Sequence, residues 1–165
     1  MQKMKAHIAK RKDRIFAQFM KEQIPNHVTI EGNSMYPVLR TGECIAILPL
    51  SSELVAGECY AYLKNGVPVL HRLVGYNDDY ASFVGDNTSL IEEISRECII
   101  GKTNLKNYEA YENIAKYLNL ALINMHFRSS IILACKKQLL RLAYKMEQLW
   151  QKKCMRNPKF TPSTC

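Results

Sequence analysis

At 165 residues and 19.0 kDa, with 47% hydrophobic and 23% charged residues, the chain has the size and composition of one ordinary globular domain. Seven Gly and six Pro exclude collagen-like and low-complexity classes, and a net charge of +8 on a core-forming composition excludes an acidic disordered chain. Six cysteines with no C-x-x-C pair and four scattered histidines lack metal-ligand spacing, so neither a metal nor a cofactor is expected.

Residues 1–22 read as a basic helix, with Ile8, Ile15, Phe16, Phe19 and Met20 on one side and Lys10, Arg11, Lys12 and Arg14 among the rest, ended by Pro25. This stretch has no apolar h-region and no small-residue cleavage site, so it is not a secretory signal. The chain is expected in the cytoplasm, with reduced thiols. No window of about 18 uninterrupted apolar residues occurs, and no transmembrane span is predicted.

Residues 23–104 change period. VTIEG, CIAIL, ECYAYLK, VPVLHRLVG, YASFV and ECIIGK are short runs rich in β-branched and aromatic residues, separated by turn chemistry at TG, AG, KNG, YNDD and GDN. They predict a small β body in which Cys44 and Cys59 serve as small core residues. From 105 to 150 the apolar residues return to helical spacing, with Ile114, Tyr117, Leu118, Ala121, Leu122 and Met125, and then Leu139, Leu142, Met146, Leu149 and Trp150, broken near Ser129. Lys136, Lys137, Arg141 and Lys145 lie beside the second stripe, and residues 151–165 read as a disordered tail. The predicted fold is therefore mainly β, with an N-terminal helix and a C-terminal basic amphipathic helical extension.

Charge follows the same division. Residues 1–22 carry 7 basic and 2 acidic groups, residues 23–104 carry 5 and 10, and residues 105–165 carry 11 and 3. Two basic arms around an acidic centre are either solvated helix faces or surfaces for phosphate, as on an anionic membrane.

One loop carries a candidate nucleophile. In EGNSMYPVLRTGE, residues 31–43, Gly32 permits a positive-φ backbone before Ser34, Pro37 fixes the chain after it, and Met35 and Tyr36 would shield the hydroxyl. Serine is inert at neutral pH without a neighbouring base. His71 is the candidate, because VPVLHRLVG reads as a strand with Val69, His71 and Leu73 on one face and Leu70 and Arg72 on the other. Asp86 in the GDN turn after YASFV is the candidate to orient the imidazole. Asp78 and Asp79 occupy an ordinary hairpin tip.

GNSMYPVLRTGE, ECYAY, VLHRLVG, FVGDN and CIIGK, in this order, resemble the signal peptidase I and self-cleaving repressor superfamily of serine peptidases over roughly residues 28–103. His71 before Arg72 resembles the His-base, endoplasmic-reticulum and archaeal-like branch and its short anchor-free members. The resemblance implies the β fold of that superfamily, a peptidase domain over 23–104, Ser34 as nucleophile, His71 as general base and Asp86 as its orienting acid. It also implies an oxyanion site at the Ser34 backbone N–H, with Asn33 and Met35 beside it. Some leader peptidases place a hydroxyl two residues before the nucleophile, where this chain has Gly32, and the family's G-D pairs are Gly42-Glu43 and Gly57-Glu58 here.

The expected activity is cleavage of a leader, signal or other precursor peptide, by a domain held on the inner face of an anionic membrane by its basic helices. Two alternatives stand beside it. A degenerate peptidase fold would capture a peptide or serve as a membrane-associated scaffold without cutting. A self-cleaving repressor would bind DNA, but 22 residues are too few for a helix-turn-helix domain and the base is His rather than Lys, so nucleic acid is not the expected partner.

Overall fold

The computed structural model describes residues 2–24, 26–50, 53–88, 90–103, 105, 109–124 and 130–156. Helix α1 (Gln2–Glu22) leads into strands β1 (Asn26–Thr29), β2 (Cys44–Ile47), β3 (Cys59–Lys64), β4 (Val67–Tyr76), β5 (Tyr80–Val84), β6 (Ile91–Ser95) and β7 (Ile99–Thr103), followed by α2 (Glu109–Asn124) and α3 (Ser130–Arg156). The fold is mixed α/β rather than mainly β. Helices of 21, 16 and 27 residues outweigh strands of 4 to 10, and α3 runs to Arg156, past the start of the expected tail. Pro25, the expected helix break near Ser129 and residues 157–165 lie outside the described residues.

All pairing among the described strands is antiparallel: β1 with β2, and a five-stranded sheet in the order β6-β5-β4-β3-β7. The hairpin between β3 and β4 turns through Asn65 and Gly66, both at positive φ, as the Asn-Gly dipeptide prescribes. Asp13 of α1 holds this turn, its carboxylate accepting from the amides of Asn65 (2.8 Å) and Gly66 (2.7 Å). Leu48, just after β2, bridges to Lys102 of β7 and joins the two sheets.

Strand β3 is buried on both faces, which sets the layers. Cys59, Ala61 and Leu63 pack with Met35, Val38, Leu39, Tyr111 and Leu140 in the core beneath the helices. Tyr60 and Tyr62 pack with Leu73, Phe83, Ile94 and Ile99 on the opposite face. Cys59 is thus a core residue as expected, and Cys44 is not. Ile45 and Ile47 take the inner face of β2, and the alternating pleat leaves the Cys44 thiol exposed.

One asymmetry of the large sheet shapes a cleft. Strand β4 pairs with β3 from Val67 to Arg72 but with β5 only from Arg72 to Tyr76, so among the described strands residues 67–71 have one unpaired edge. Among the described strands β1 likewise pairs only with β2. A cleft of about 660 Å³ lies where residues 28–31 approach residues 67–71, with Ser34 and Met35 in its wall.

Candidate active site

The Ser34 loop is held from below by apolar pegs and from the side by hydrogen bonds. Gly32 is at φ 77°, the left-handed conformation that its lack of a Cβ permits, and its carbonyl accepts from the Thr41 hydroxyl at 2.8 Å. Met35, Val38 and Leu39 are buried, while Ser34 just before them is half-exposed to the cleft. The loop therefore fixes the backbone of Ser34 while leaving its side chain accessible.

Each residue of the Gly85-Asp86-Asn87 turn makes a different contact with this site. Asn87 clasps the nucleophile loop, its amide donating to the Ser34 carbonyl (2.7 Å) and its side-chain Nδ2 to the Asn33 carbonyl (3.1 Å). Gly85 allows close approach: a Cβ there would stand 2.7 Å from the Ser34 carbonyl oxygen and 3.1 Å from His71 Nε2, so both flank a single point. Asp86 turns away from them into the interior. Arg72 Nε and a terminal guanidinium nitrogen donate to its two oxygens at 2.9 and 2.8 Å, and Tyr111 and Asn119 each add a donor at 2.9 Å.

The expected trio is therefore brought together only in part. Ser34 and His71 share the cleft, but among the described residues no hydrogen bond joins Asp86 to His71. Its four lone-pair directions are taken by Arg72, Tyr111 and Asn119, and this buried cluster supports the turn rather than the imidazole. Burial works to raise the Asp86 carboxyl, but the Arg72 guanidinium, with Lys136 and Tyr111, outweighs it and holds the group below the usual carboxylate range.

His71 is held at Nδ1 by the Tyr62 hydroxyl at 2.9 Å, and Glu92 Oε2 stands 3.6 Å from the same nitrogen. Nε2 is buried and has no hydrogen-bond partner among the described residues. Burial lowers the affinity of the ring for a proton, Glu92 and Asp86 oppose that, and Lys64 and Lys136 add to it. The net effect keeps the imidazole neutral at pH 7. A neutral imidazole with a free Nε2 beside a serine loop is chemically equipped to accept a hydroxyl proton.

Of the other expected site residues, Asn33 is exposed with its carbonyl committed to Asn87 and to the Tyr36 amide, and Met35 is buried with its carbonyl accepting from Leu39. Tyr62, Glu92, Tyr111 and Asn119 are further site neighbours that no sequence motif marks, and Lys136 joins them. Lys136, expected beside the apolar stripe of the last helix with the other cations of the basic amphipathic face, is instead 3% exposed and donates to the carbonyls of Gly85 (3.2 Å) and Thr88 (3.0 Å). Its spacing of four and seven from Leu140 and Ala143 was the available signal for an inward position. Desolvation in that position brings its pKa down to about 8.

Compared with protein-family profiles, curated proteins and solved structures, the chain matches none of them.

Proposed function

We propose that this chain is a serine endopeptidase of the signal-peptidase-like type, cleaving a leader, signal or other precursor peptide. The observation that carries the reading is the Nε2 of a neutral, buried His71, unpartnered among the described residues, in the same cleft as the Ser34 loop. The resemblance of the ordered motifs to the signal peptidase I and repressor superfamily supports it independently.

In this reading the Ser34 Oγ attacks the substrate carbonyl carbon, its proton passes to His71 Nε2, and the carbonyl electron pair moves to oxygen. The imidazolium then returns the proton to the leaving amine as the tetrahedral species collapses to an acyl-Ser34 ester. Water, deprotonated by the same nitrogen, releases the acid. The backbone N–H of Ser34 is the assigned oxyanion donor. The substrate lies extended in the cleft, because the open edges of β1 and of residues 67–71 offer main-chain hydrogen bonds that do not depend on its side chains.

The helices supply the place of action, the inner face of an anionic membrane. In α3, Leu142, Met146 and Leu149 are 56%, 61% and 67% exposed, and Arg141, Lys145 and Lys152 are exposed alongside them. Ile15, Phe16 and Phe19 of α1 are also exposed. No helix among the described residues is long and apolar enough to cross a membrane. Such a face fits the surface of an anionic bilayer, apolar side chains entering the acyl boundary and cations meeting headgroups.

The test is incubation of wild type and Ser34→Ala with a mixture of peptides, with and without anionic vesicles, reading new termini by mass spectrometry. New termini from wild type alone are expected. Equal patterns from both proteins would remove the peptidase and leave the open strand edges as a peptide-capturing cleft.

A further inference from the structure

We propose that Tyr62 and Glu92 are the positioning residues of His71, fixing its tautomer and facing its cationic form, in the role the sequence assigned to Asp86. This deepens the peptidase reading and rests on Ser34 and His71 as nucleophile and base.

Tyr62 has a single O–H, and it is given to Glu92 Oε2 at 2.5 Å. Its oxygen can then only accept at the 2.9 Å contact with His71 Nδ1, so Nδ1 carries the ring proton. The lone pair is thereby confined to Nε2, the nitrogen that faces Gly85 and the Ser34 loop. A tyrosine whose O–H pointed instead at Nδ1 would leave the Glu92 oxygen without its donor, against a carboxyl that is ionised. Burial works to raise the Glu92 carboxyl, and hydrogen bonds from Lys64 and Tyr62 overcome it to hold the group below its usual range.

Glu92 is itself fixed. Its second oxygen accepts from Lys64 Nζ at 2.7 Å. In sheet order β5 and β4 separate β6 from β3, so Glu92 meets Tyr62 and Lys64 across the face of the sheet rather than along a strand pair. Tyr62 is wedged in place by Phe83, stacked on its ring at 4.4 Å between centroids. The ring position is therefore set by packing before any substrate arrives, the condition for an effective base.

When Nε2 takes the Ser34 proton, the new positive charge stands beside a carboxylate 3.6 Å from Nδ1, with the Tyr62 oxygen accepting the Nδ1–H. No proton passes to Glu92. The charged groups that act on His71 are Glu92 and Asp86, which favour the cation, and Lys64 and Lys136, which oppose it. Asp86 acts through space from within its own saturated cluster and makes no bond to the ring.

Two readouts on the full chain test this, one of them independent of catalysis. Nitrogen-15 NMR of the His71 ring in wild type is expected to show the Nδ1–H tautomer. Tyr62→Phe is expected to shift the population toward Nε2–H. Glu92→Gln is expected to lower the midpoint of ring titration, since it removes a neighbour that favours the cation. In parallel, an alkyl fluorophosphonate, which bonds to an activated serine oxygen with loss of fluoride, is expected to label wild type at Ser34 and to react about 10- to 100-fold more slowly with either variant. Glu92→Asp, which keeps the charge, is expected to recover part of the lost rate.

Unchanged tautomer and titration in folded Tyr62→Phe and Glu92→Gln would overturn the assignment, whatever the labelling rate. If one variant fails to fold, the other decides. Wild type left unlabelled, with the ring tautomer as expected, would instead overturn Ser34 as the nucleophile while leaving Tyr62 and Glu92 as the groups that hold the ring.

Discussion

Arg72 and Asp86 form a two-pronged ion pair with both side chains fully buried. A third guanidinium contact, from the other terminal nitrogen to the Gly57 carbonyl at 2.7 Å, ties the pair to the turn before β3. The alternation of β4 thus points His71 toward Tyr62 and its neighbour Arg72 toward the layer of the C-terminal helices, one residue to each face.

Asp86→Asn is accordingly expected to act on stability. It leaves a buried guanidinium without its counter-charge, a change that costs about 3–5 kcal/mol. For a chain of this length that is a fall in Tm on the order of 10 °C. Calorimetry beside Ser34→Ala checks it, since the serine change should leave the transition nearly unmoved. The Asp86 carboxyl is held below its usual range, so its stabilising contribution is present above the unfolded carboxylate pKa and is lost as pH falls through the lower folded value. Asp86→Asn should therefore flatten the acid limb of the stability curve.

Gly85→Ala probes the site from another side. The added Cβ would come within 2.7 Å of the Ser34 carbonyl and of the Thr88 methyl, and within 3.1 Å of His71 Nε2, so the turn must retreat from the cleft. Ser34 loses its clasp from Asn87 if the turn moves. Labelling of Ser34 by a fluorophosphonate is expected to fall at least about tenfold, as misplacement near 1 Å does elsewhere. Labelling at the wild-type rate would mean that the contact does not position the serine.

The pH dependence follows from the buried imidazole. Because burial lowers the His71 pKa below the usual 6.5, activity should rise with pH through a midpoint under that value and stay high at neutral pH. The unfolded chain takes the proton first, so this group also makes stability fall as pH drops below the unfolded histidine range. A midpoint near 8 instead, abolished in Lys136→Met, would transfer the base role to Lys136, whose pKa lies at about 8.

The chemistry-bearing residues that share a strand or a loop were legible in the sequence, because local rules place them. Gly32 at positive φ framed Ser34, and the two-residue pleat of β4 put His71 and Arg72 on opposite faces. What pairs with them was not legible. Glu92 reaches Tyr62 over two intervening strands, and Tyr111, Asn119 and Lys136 arrive from helices far along the chain. Helical periodicity located the stripes of Leu, Met and aromatic residues but not whether they face inward or outward. The inner faces carry Asp13, Asn119, Lys136 and Glu147 among small and apolar residues, since the β3–β4 turn, the Asp86 turn and the Tyr111 amide of α2 present polar partners to them. Ile114, Tyr117, Leu142 and Leu149 are left outward.

That inversion bears on membrane binding, because an exposed apolar stripe rimmed by cations is costly in water unless something covers it. Each Lys or Arg near an anionic leaflet contributes about 1 kcal/mol, and Lys145, Lys152 and Arg141, whose guanidinium lies 5.6 Å over the Tyr36 ring, are exposed beside the outward residues of α3. In flotation, the full chain should rise with vesicles of mixed phosphatidylserine and phosphatidylcholine and remain below with phosphatidylcholine alone. The pair Leu142→Glu and Met146→Glu alters residues more than half exposed, so the fold should survive while flotation is lost. Arg141→Glu with Lys145→Glu should remove the preference for anionic lipid, and raised salt should weaken wild-type binding in the same direction. Equal flotation with neutral vesicles, or none with either, would strike out the membrane. A concentration-dependent dimer that the Leu142 and Met146 changes dissolve would assign the stripe to a second copy of the chain.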